Sequence, residues 1–276
     1  MENKTGKMTI IEQAIVGKVS QEACEDGLAV NDGFVAVIDG STSKTPIEIN
    51  PGMSNGRYCM ELVKRYVCSM TFDTSVESFC TGVTEFLRSA VVSAGCNMSR
   101  LKECPTERPA ASAVVYSVSR RQVWMVGDCQ CIVDGVLYEN KKPQEDALAT
   151  KRSEYLLRAM AAGLEVADIQ TDDPGRKHII NELVESCKGQ NVTYSVIDGF
   201  DIPLDKVKVI DVRGGCDVIL ASDGYPFLKG TLAESEEALA ALLRDDPLCV
   251  RRFKATKGLM KGNKSFDDRC YVRFSP

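Results

Sequence analysis

Short apolar runs with a two-residue alternation are interspersed along this chain with longer stretches whose apolar positions recur every three or four residues. Residues 8–16, 28–30 and 34–38 read as strands, the last two joined at Asn31-Asp32-Gly33, which supplies the positive φ of a tight hairpin turn. Residues 41–55, rich in Ser, Thr, Pro, Gly and Asn, read as a loop. A helix is predicted next, with Tyr58, Cys59, Leu62, Val63, Tyr66 and Val67 on one face. A second starts near Ser75, carries Val76, Phe79, Val83, Phe86, Leu87, Ala90 and Val91, and stops near Gly95. Two consecutive helices with one apolar face each are expected to lie antiparallel on a sheet.

Residues 96–109 form a polar connection. Strands are predicted at 111–118 and 122–126, and a short hairpin turns at Asp134-Gly135 between 132–133 and 136–138. A helix over 145–162 points Leu156, Leu157 and Met160 inward. Residues 171–188 read as a polar loop and then a helix over Ile179, Ile180, Leu183 and Val184. Strands follow at 192–197, 207–212 and 216–221, then a helix over 232–244 with glutamates in its first turn, where the helix dipole favours them, and a closing strand at 269–274. Hairpin-linked strands imply antiparallel sheets, and helices in pairs imply layers outside them. The expected fold is α+β: an antiparallel β-sandwich flanked by helix pairs. No linker, repeat or low-complexity segment divides residues 1–276, so one domain is expected.

Composition narrows the function. A hydrophobic share of 44% is enough for a full core, and a net charge of -5 argues against a nucleic-acid or anionic-membrane surface. No apolar run reaches the roughly 18 residues of a membrane span. The first seven residues have no apolar signal core behind them, which predicts a cytoplasmic protein. The 12 cysteines are scattered through apolar stretches and read as reduced, buried thiols. His178 is the only histidine and reads as a surface residue, which disfavours His-based triads and multi-His metal sites.

The acids give the chemistry. Phe34-Val35-Ala36-Val37-Ile38 is a buried strand that ends in Asp39-Gly40-Ser41-Thr42. A carboxylate at the end of a buried strand is costly unless it is paired or holds a metal, and Gly40 lets backbone come close to a ligand. The pattern returns at Val218-Ile219-Leu220-Ala221-Ser222-Asp223-Gly224, and in weaker form at Val126-Gly127-Asp128 and at Asp267-Asp268 before the last strand. The first hairpin puts Glu25-Asp26 at the same end as Asp39-Gly40. A chain that repeatedly sets Asp beside an apolar strand is collecting carboxylates around metal.

In order and spacing these motifs resemble those of the metal-dependent Ser/Thr phosphatases of the PP2C (PPM) type, as an atypical, bacterial-like member. The resemblance runs from about Val16 to the C-terminus. It rests on Glu25-Asp26, on Asp39-Gly40, on the small-residue strand Ala110-Ala111-Ser112-Ala113-Val114, on Val126-Gly127-Asp128-Cys129, on Ala221-Ser222-Asp223-Gly224 and on Asp267-Asp268. It implies hydrolysis of phosphoserine and phosphothreonine in proteins by a water activated at two Mn²⁺ or Mg²⁺ ions, with a partner kinase supplying the substrate. Asp26, Asp39 and the Gly40 carbonyl would hold the ion pair, and Asp223 and Asp267 would complete the second ion's set. Asp128 with Asp223 would serve a third, weaker ion. Glu25, Lys18, Lys44, Ser41 and Asp268 would support the metals or hold phosphate.

The chain departs from that family twice. Ser41-Thr42-Ser43 stands where the family often has His-Gly-Gly, and Gln21 stands where it often has an arginine for phosphate. Lys18 and Lys44 are candidates for the arginine's task, though neither is a fork-shaped donor. Both losses favour an alternative, a pseudophosphatase acting as a phosphoprotein-binding module. The retained carboxylates favour an enzyme. A phosphatase for a small phosphorylated metabolite is a third reading, and residues 139–205 are the stretch expected to set specificity.

Overall fold

Two five-stranded antiparallel sheets face one another in the computed structural model, which describes residues 8–213 and 215–276. The N-terminal residues 1–7, read above for their lack of an apolar core, lie outside the described residues. One sheet runs β2 (Asp26–Val30), β3 (Phe34–Gly40), β4 (Ala111–Ser117), β5 (Gln122–Val126), β8 (Lys208–Asp211). The other runs β1 (Thr9–Val16), β10 (Arg269–Ser275), β9 (Val218–Ala221), β6 (Gln130–Val133), β7 (Val136–Glu139). Thus β7 and β8, consecutive in the chain, are edge strands of different sheets.

Alternation along the strands builds two apolar layers. Val35 and Val37 of β3, with Val114, Tyr116, Val123 and Met125, meet Cys131, Val218, Leu220, Cys270, Val272 and Phe274 between the sheets. The alternate residues Phe34, Ala36, Ile38, Ala113, Val115 and Trp124 point the other way, onto α1 (Asn55–Ser69) and α2 (Val76–Ser93). That helix pair is the expected one. Ser54 and Ser75 start the two helices, their side chains accepting from the backbone N–H groups of Arg57 and Ser78. On the second sheet, α7 (Leu232–Asp245) lies against β1 and β10.

The remaining helices are α3 (Met98–Glu103), α4 (Glu145–Ala161), α5 (Val166–Thr171) and α6 (Pro174–Ser186). The first sits inside the connection expected at 96–109, started by Asn97, whose side chain accepts from Ser99 and Arg100 N–H. The pair α4 and α6 pack on each other. Arg152 of α4, fully buried, forks onto Asp173 Oδ2 at 3.0 and 2.7 Å and also donates to the Leu248 and Ala255 carbonyls at 2.9 and 3.0 Å.

Two expectations are corrected. Residues 192–197 are not a strand. The Gly189 carbonyl gathers the N–H groups of Val192, Thr193 and Tyr194, and only isolated bridges such as Ala111 to Ile197 remain, with Val192 66% exposed. The Asn31-Asp32-Gly33 turn uses no positive φ. Asn31 Oδ1 instead accepts from Gly33 N–H at 2.9 Å and Phe34 N–H at 2.8 Å, so a side chain closes the hairpin. Asp134 and Gly135 do both have positive φ, 51° and 76°, as a two-residue hairpin requires. No helix among the described residues is long and apolar enough to cross a membrane.

Candidate metal centre

At one end of the sandwich the inter-sheet apolar layer gives way to carboxylates. Counting by twos from Val35 and Val37 brings Asp39 onto the inter-sheet face of β3. Its register partners are Asp26 on β2 and Ser112 on β4. From the facing sheet, β9 runs out into Ser222-Asp223, and β10 is preceded by Asp267-Asp268. Asp128 follows β5 through Gly127, whose φ of +83° no side chain adopts cheaply. A Cβ there would fall 2.2 Å from Ser112 Oγ. That hydroxyl donates to Asp128 Oδ1 at 2.5 Å and accepts from its N–H at 3.3 Å.

The acids fall into two groups. Asp128 and Asp267 have cations. Lys142 Nζ lies 2.5 Å from Asp128 Oδ2, Lys18 Nζ lies 3.3 Å from Asp267 Oδ1, and Lys257 pairs with Asp267 Oδ2. Burial pushes both carboxyls up, but these ammonium groups outweigh it and hold them below the usual carboxylate range. Among the described residues no ion pair reaches Asp26, Asp39 or Asp223. Burial lifts Asp26 and Asp39 well above that range, reinforced at Asp26 by Asp267, Asp268 and Asp223, with the Ser222 hydroxyl pulling partly back, and at Asp39 by Asp223, Asp26 and Asp128. Asp223 is pushed up to about 7 by burial and by Asp128, Asp267 and Glu145.

Asp26 Oδ2 is buried and bonds to nothing. A buried carboxylate oxygen without a donor, ringed by further acids, suits a hard divalent cation bound through oxygen. Oxygens of Asp128, Glu145 and Asp223 also lie within 4.8 Å of one another. The donor set therefore fits Mn²⁺ or Mg²⁺.

The supporting residues separate by role. Glu25 is a brace: Oε1 accepts from Ser54 Oγ at 2.6 Å, and Oε2 from Thr42 Oγ1 at 3.0 Å and Lys18 Nζ at 3.4 Å. Asp268 is turned away from the cavity, with Oδ1 accepting from Lys18 N–H at 2.7 Å and Oδ2 facing Lys18 Nζ at 2.9 Å, whereas Asp267 lines the cavity. Acidic neighbours outweigh burial and raise Lys18 above its usual range, so it serves as a counter-ion to Glu25, Asp267 and Asp268. Gly40 sits hard against α1, where a Cβ would fall 2.3 Å from the Gly56 carbonyl oxygen. Gly40, Ser41 and Lys44 line the same cavity. Near Gln21, Arg57 donates to the Gln21 and Cys24 carbonyls, which ties down the loop before β2. His178 is exposed and stacks on Tyr155, with centroids 4.5 Å apart.

Glu145, Lys142, Lys257 and Arg176 also line the cavity and were not singled out in the sequence. Glu145 opens α4 and reads locally as an ordinary first-turn acid, and the three cations belong to no motif. Only the fold brings them to the carboxylates.

Solved structures similar in fold to this chain span nearly its whole length. Over 98% of both chains this chain is similar to PppA, a key regulatory component of T6SS in Pseudomonas aeruginosa, at 12% identity and a TM-score of 0.50. It is also similar to the serine/threonine phosphatase Stp1 from Staphylococcus aureus, at 12% identity over 97% of this chain and 96% of that one, with a TM-score of 0.46. The catalytic domain of the serine threonine protein phosphatase PstP, solved with 2 manganese ions, matches at 13% identity over 97% and 98% of the two chains, with a TM-score of 0.45. At these identities the likeness concerns the fold. No protein-family model matches the chain, and none of the curated proteins does.

Proposed function

We propose that this chain is a metal-dependent phosphatase that hydrolyses phosphoserine and phosphothreonine in proteins. In this reading it is cytoplasmic, its whole length forms one catalytic unit, and a partner kinase supplies the substrate. The observation that supports the reading most is that Asp26 and Asp39, in register on β2 and β3, are near enough to Asp223 of the facing sheet for its charge to raise both carboxyls, while among the described residues none of the three has an ion pair and Asp26 Oδ2 is unbonded. Two Mn²⁺ or Mg²⁺ ions held there would supply a clamp on phosphoryl oxygens and lower the pKa of a water so that hydroxide is available as the nucleophile, and Asp128 and Asp223 would suit a third, weaker ion. Asp26 and Asp39 would hold the ion pair from one sheet, and Asp223 and Asp267 from the other. Gly40 gives the backbone a close approach. Lys142 and Lys257 draw negative charge off Asp128 and Asp267, so the assembled site repels a phosphate dianion less.

Those same two lysines favour a second reading, a phosphoprotein-binding module in which the ammonium groups take over part of the metals' role. One experiment separates the two: hydrolysis of p-nitrophenyl phosphate and a phosphothreonine peptide with Mn²⁺, Mg²⁺ or EDTA, for wild type and Asp39→Asn. Turnover abolished by both EDTA and the substitution supports the enzyme, and a preference for the peptide supports protein substrates. No turnover with any metal, in protein shown to be folded, leaves the binding module.

A further inference from the structure

Four cations line the cavity above the carboxylates: Lys44, Lys142, Arg176 and Lys257. Lys142 and Lys257 are matched to Asp128 and Asp267. Among the described residues the other two make no ion pair, although Asp173, Asp267 and Glu145 act on Arg176 from farther away. Arg176 spends one guanidinium nitrogen on the Thr256 carbonyl at 3.0 Å, and among the described residues Lys44 makes no hydrogen bond or ion pair. The groups acting on the Lys44 ammonium are Cys187 and the other three cations, and together with burial the cations pull its pKa below the usual lysine range. Lys44 also lines a small adjoining pocket with Cys187 and Gln190.

Both cations are held in place. Asn55, buried at the start of α1, accepts from Ile49 N–H at 3.0 Å and donates to the Ile47 carbonyl at 2.9 Å, which clamps the loop that carries Lys44. Asp173 Oδ1 accepts from Arg176 N–H at 2.9 Å while its other oxygen takes the buried Arg152 fork. Two anchored, half-buried cations that make no ion pair are costly, and an anion between them offsets that cost.

We infer that Lys44 and Arg176 form a second anion subsite, which takes a carboxylate or second phosphate on the leaving-group side of the phosphomonoester whose phosphoryl group sits on the carboxylate floor. The inference rests on the phosphatase reading. It goes beyond it by requiring that the substrate carry two anionic groups within one cavity.

The test compares phenyl phosphate with 4-carboxyphenyl phosphate in the Mn²⁺-loaded protein. The expected wild-type preference in kcat/KM for the carboxylated ester is about tenfold, the effect of one well-placed charge pair. It falls toward parity in Lys44→Gln and Arg176→Gln and is kept in Lys44→Arg. The non-hydrolysable pair phenylphosphonate and 4-carboxyphenylphosphonate, titrated by calorimetry, gives the same order of binding without any turnover. Tighter binding of the carboxylated phosphonate with no hydrolysis of either ester supports the subsite and rejects the phosphatase. Equal binding of the two phosphonates, or a preference that survives the double variant, overturns the subsite whether or not the enzyme turns over. Phosphothreonine peptides with Glu or Gln beside the phosphoresidue assign the source. A Glu preference lost in Lys44→Gln identifies an acidic peptide, and a preference confined to the aryl esters identifies a small dianionic ester.

Discussion

Asp26 and Asp39 stand directly opposite one another across the β2–β3 ladder, two like charges in register at the end of a sandwich. Such a pair opposes folding unless something positive lies between them. Asp39→Asn is therefore expected to have opposite effects on activity and stability. Metal-dependent phosphate release falls by about 100-fold or more through loss of a cation ligand. Without metal, stability to urea rises by about 1 kcal/mol or more, because an amide is buried without the cost of protonating or desolvating a carboxylate. A variant that is both inactive and less stable in EDTA would show that Asp39 is structural.

The raised carboxyls give a pH dependence with a definite sign. In the metal-free protein Asp26, Asp39 and Asp223 bind protons more tightly folded than unfolded, so the folded state holds more protons between the ordinary Asp value and the shifted one. Their contribution to stability is full below about pH 4. The share of Asp223 is lost as pH rises through about 7, and those of Asp26 and Asp39 as it rises through their own raised values. Thermal unfolding in EDTA is expected to show this decline once Asp39→Asn is used to isolate the cluster. Mn²⁺ should raise the melting temperature more at pH 7.5 than at pH 5, because the ion competes with those protons. Equal metal stabilisation at both pH values would contradict the assignment.

Arg152→Met strands Asp173 in a buried position. The expected loss is about 3–5 kcal/mol, the range for removing one partner of a buried pair. Asp173→Asn in the Met background should recover part of it. Urea unfolding of the single and double variants measures both, and additive losses would mean that the two residues do not depend on each other.

Gly127→Ala combines a left-handed backbone with a collision at Ser112. Gly52 has a similar φ, +79°, with nothing within 4 Å of a Cβ, so Gly52→Ala reports the backbone term alone. That term is about 1 kcal/mol, and Gly127→Ala is expected to exceed it by a further 1 kcal/mol or more. The excess should vanish in a Ser112→Gly background, read from urea midpoints.

The strands and long helices were legible because burial on one face writes a period of two or 3.6 into the residues themselves. Asp39, Asp223, Asp128 and Asp267 were legible for a related reason: each stands beside an apolar strand, where a charge is out of place. Residues 192–197 misled because Val, Tyr and Ile suit a strand locally, while the competing turn is set by the Gly189 carbonyl and a left-handed Asn191, φ 54°. Helix α3 was lost in a polar stretch too short for periodicity. Glu145, Lys142, Arg176 and Lys257 carry no local signal, since lysine, arginine and glutamate are unremarked on any surface. Lys257 is placed by the connection between α7 and β10, and Lys142, Glu145 and Arg176 by how residues 140–207 fold back over the strand ends.

That segment leaves from one sheet's edge strand, β7, and returns to the other's, β8. It interrupts no ladder, and it is held by the Arg152–Asp173 joint, by the packing of Leu148, Ile179 and Leu183, and near its far end by the paired backbone bonds of Ile197 with Ala111. Related chains can therefore exchange or remodel it and keep the strand ends that carry the carboxylates unchanged. On the proposed reading, what the site selects and what it does to the phosphoryl group are set by separate parts of the chain, so one can change without the other.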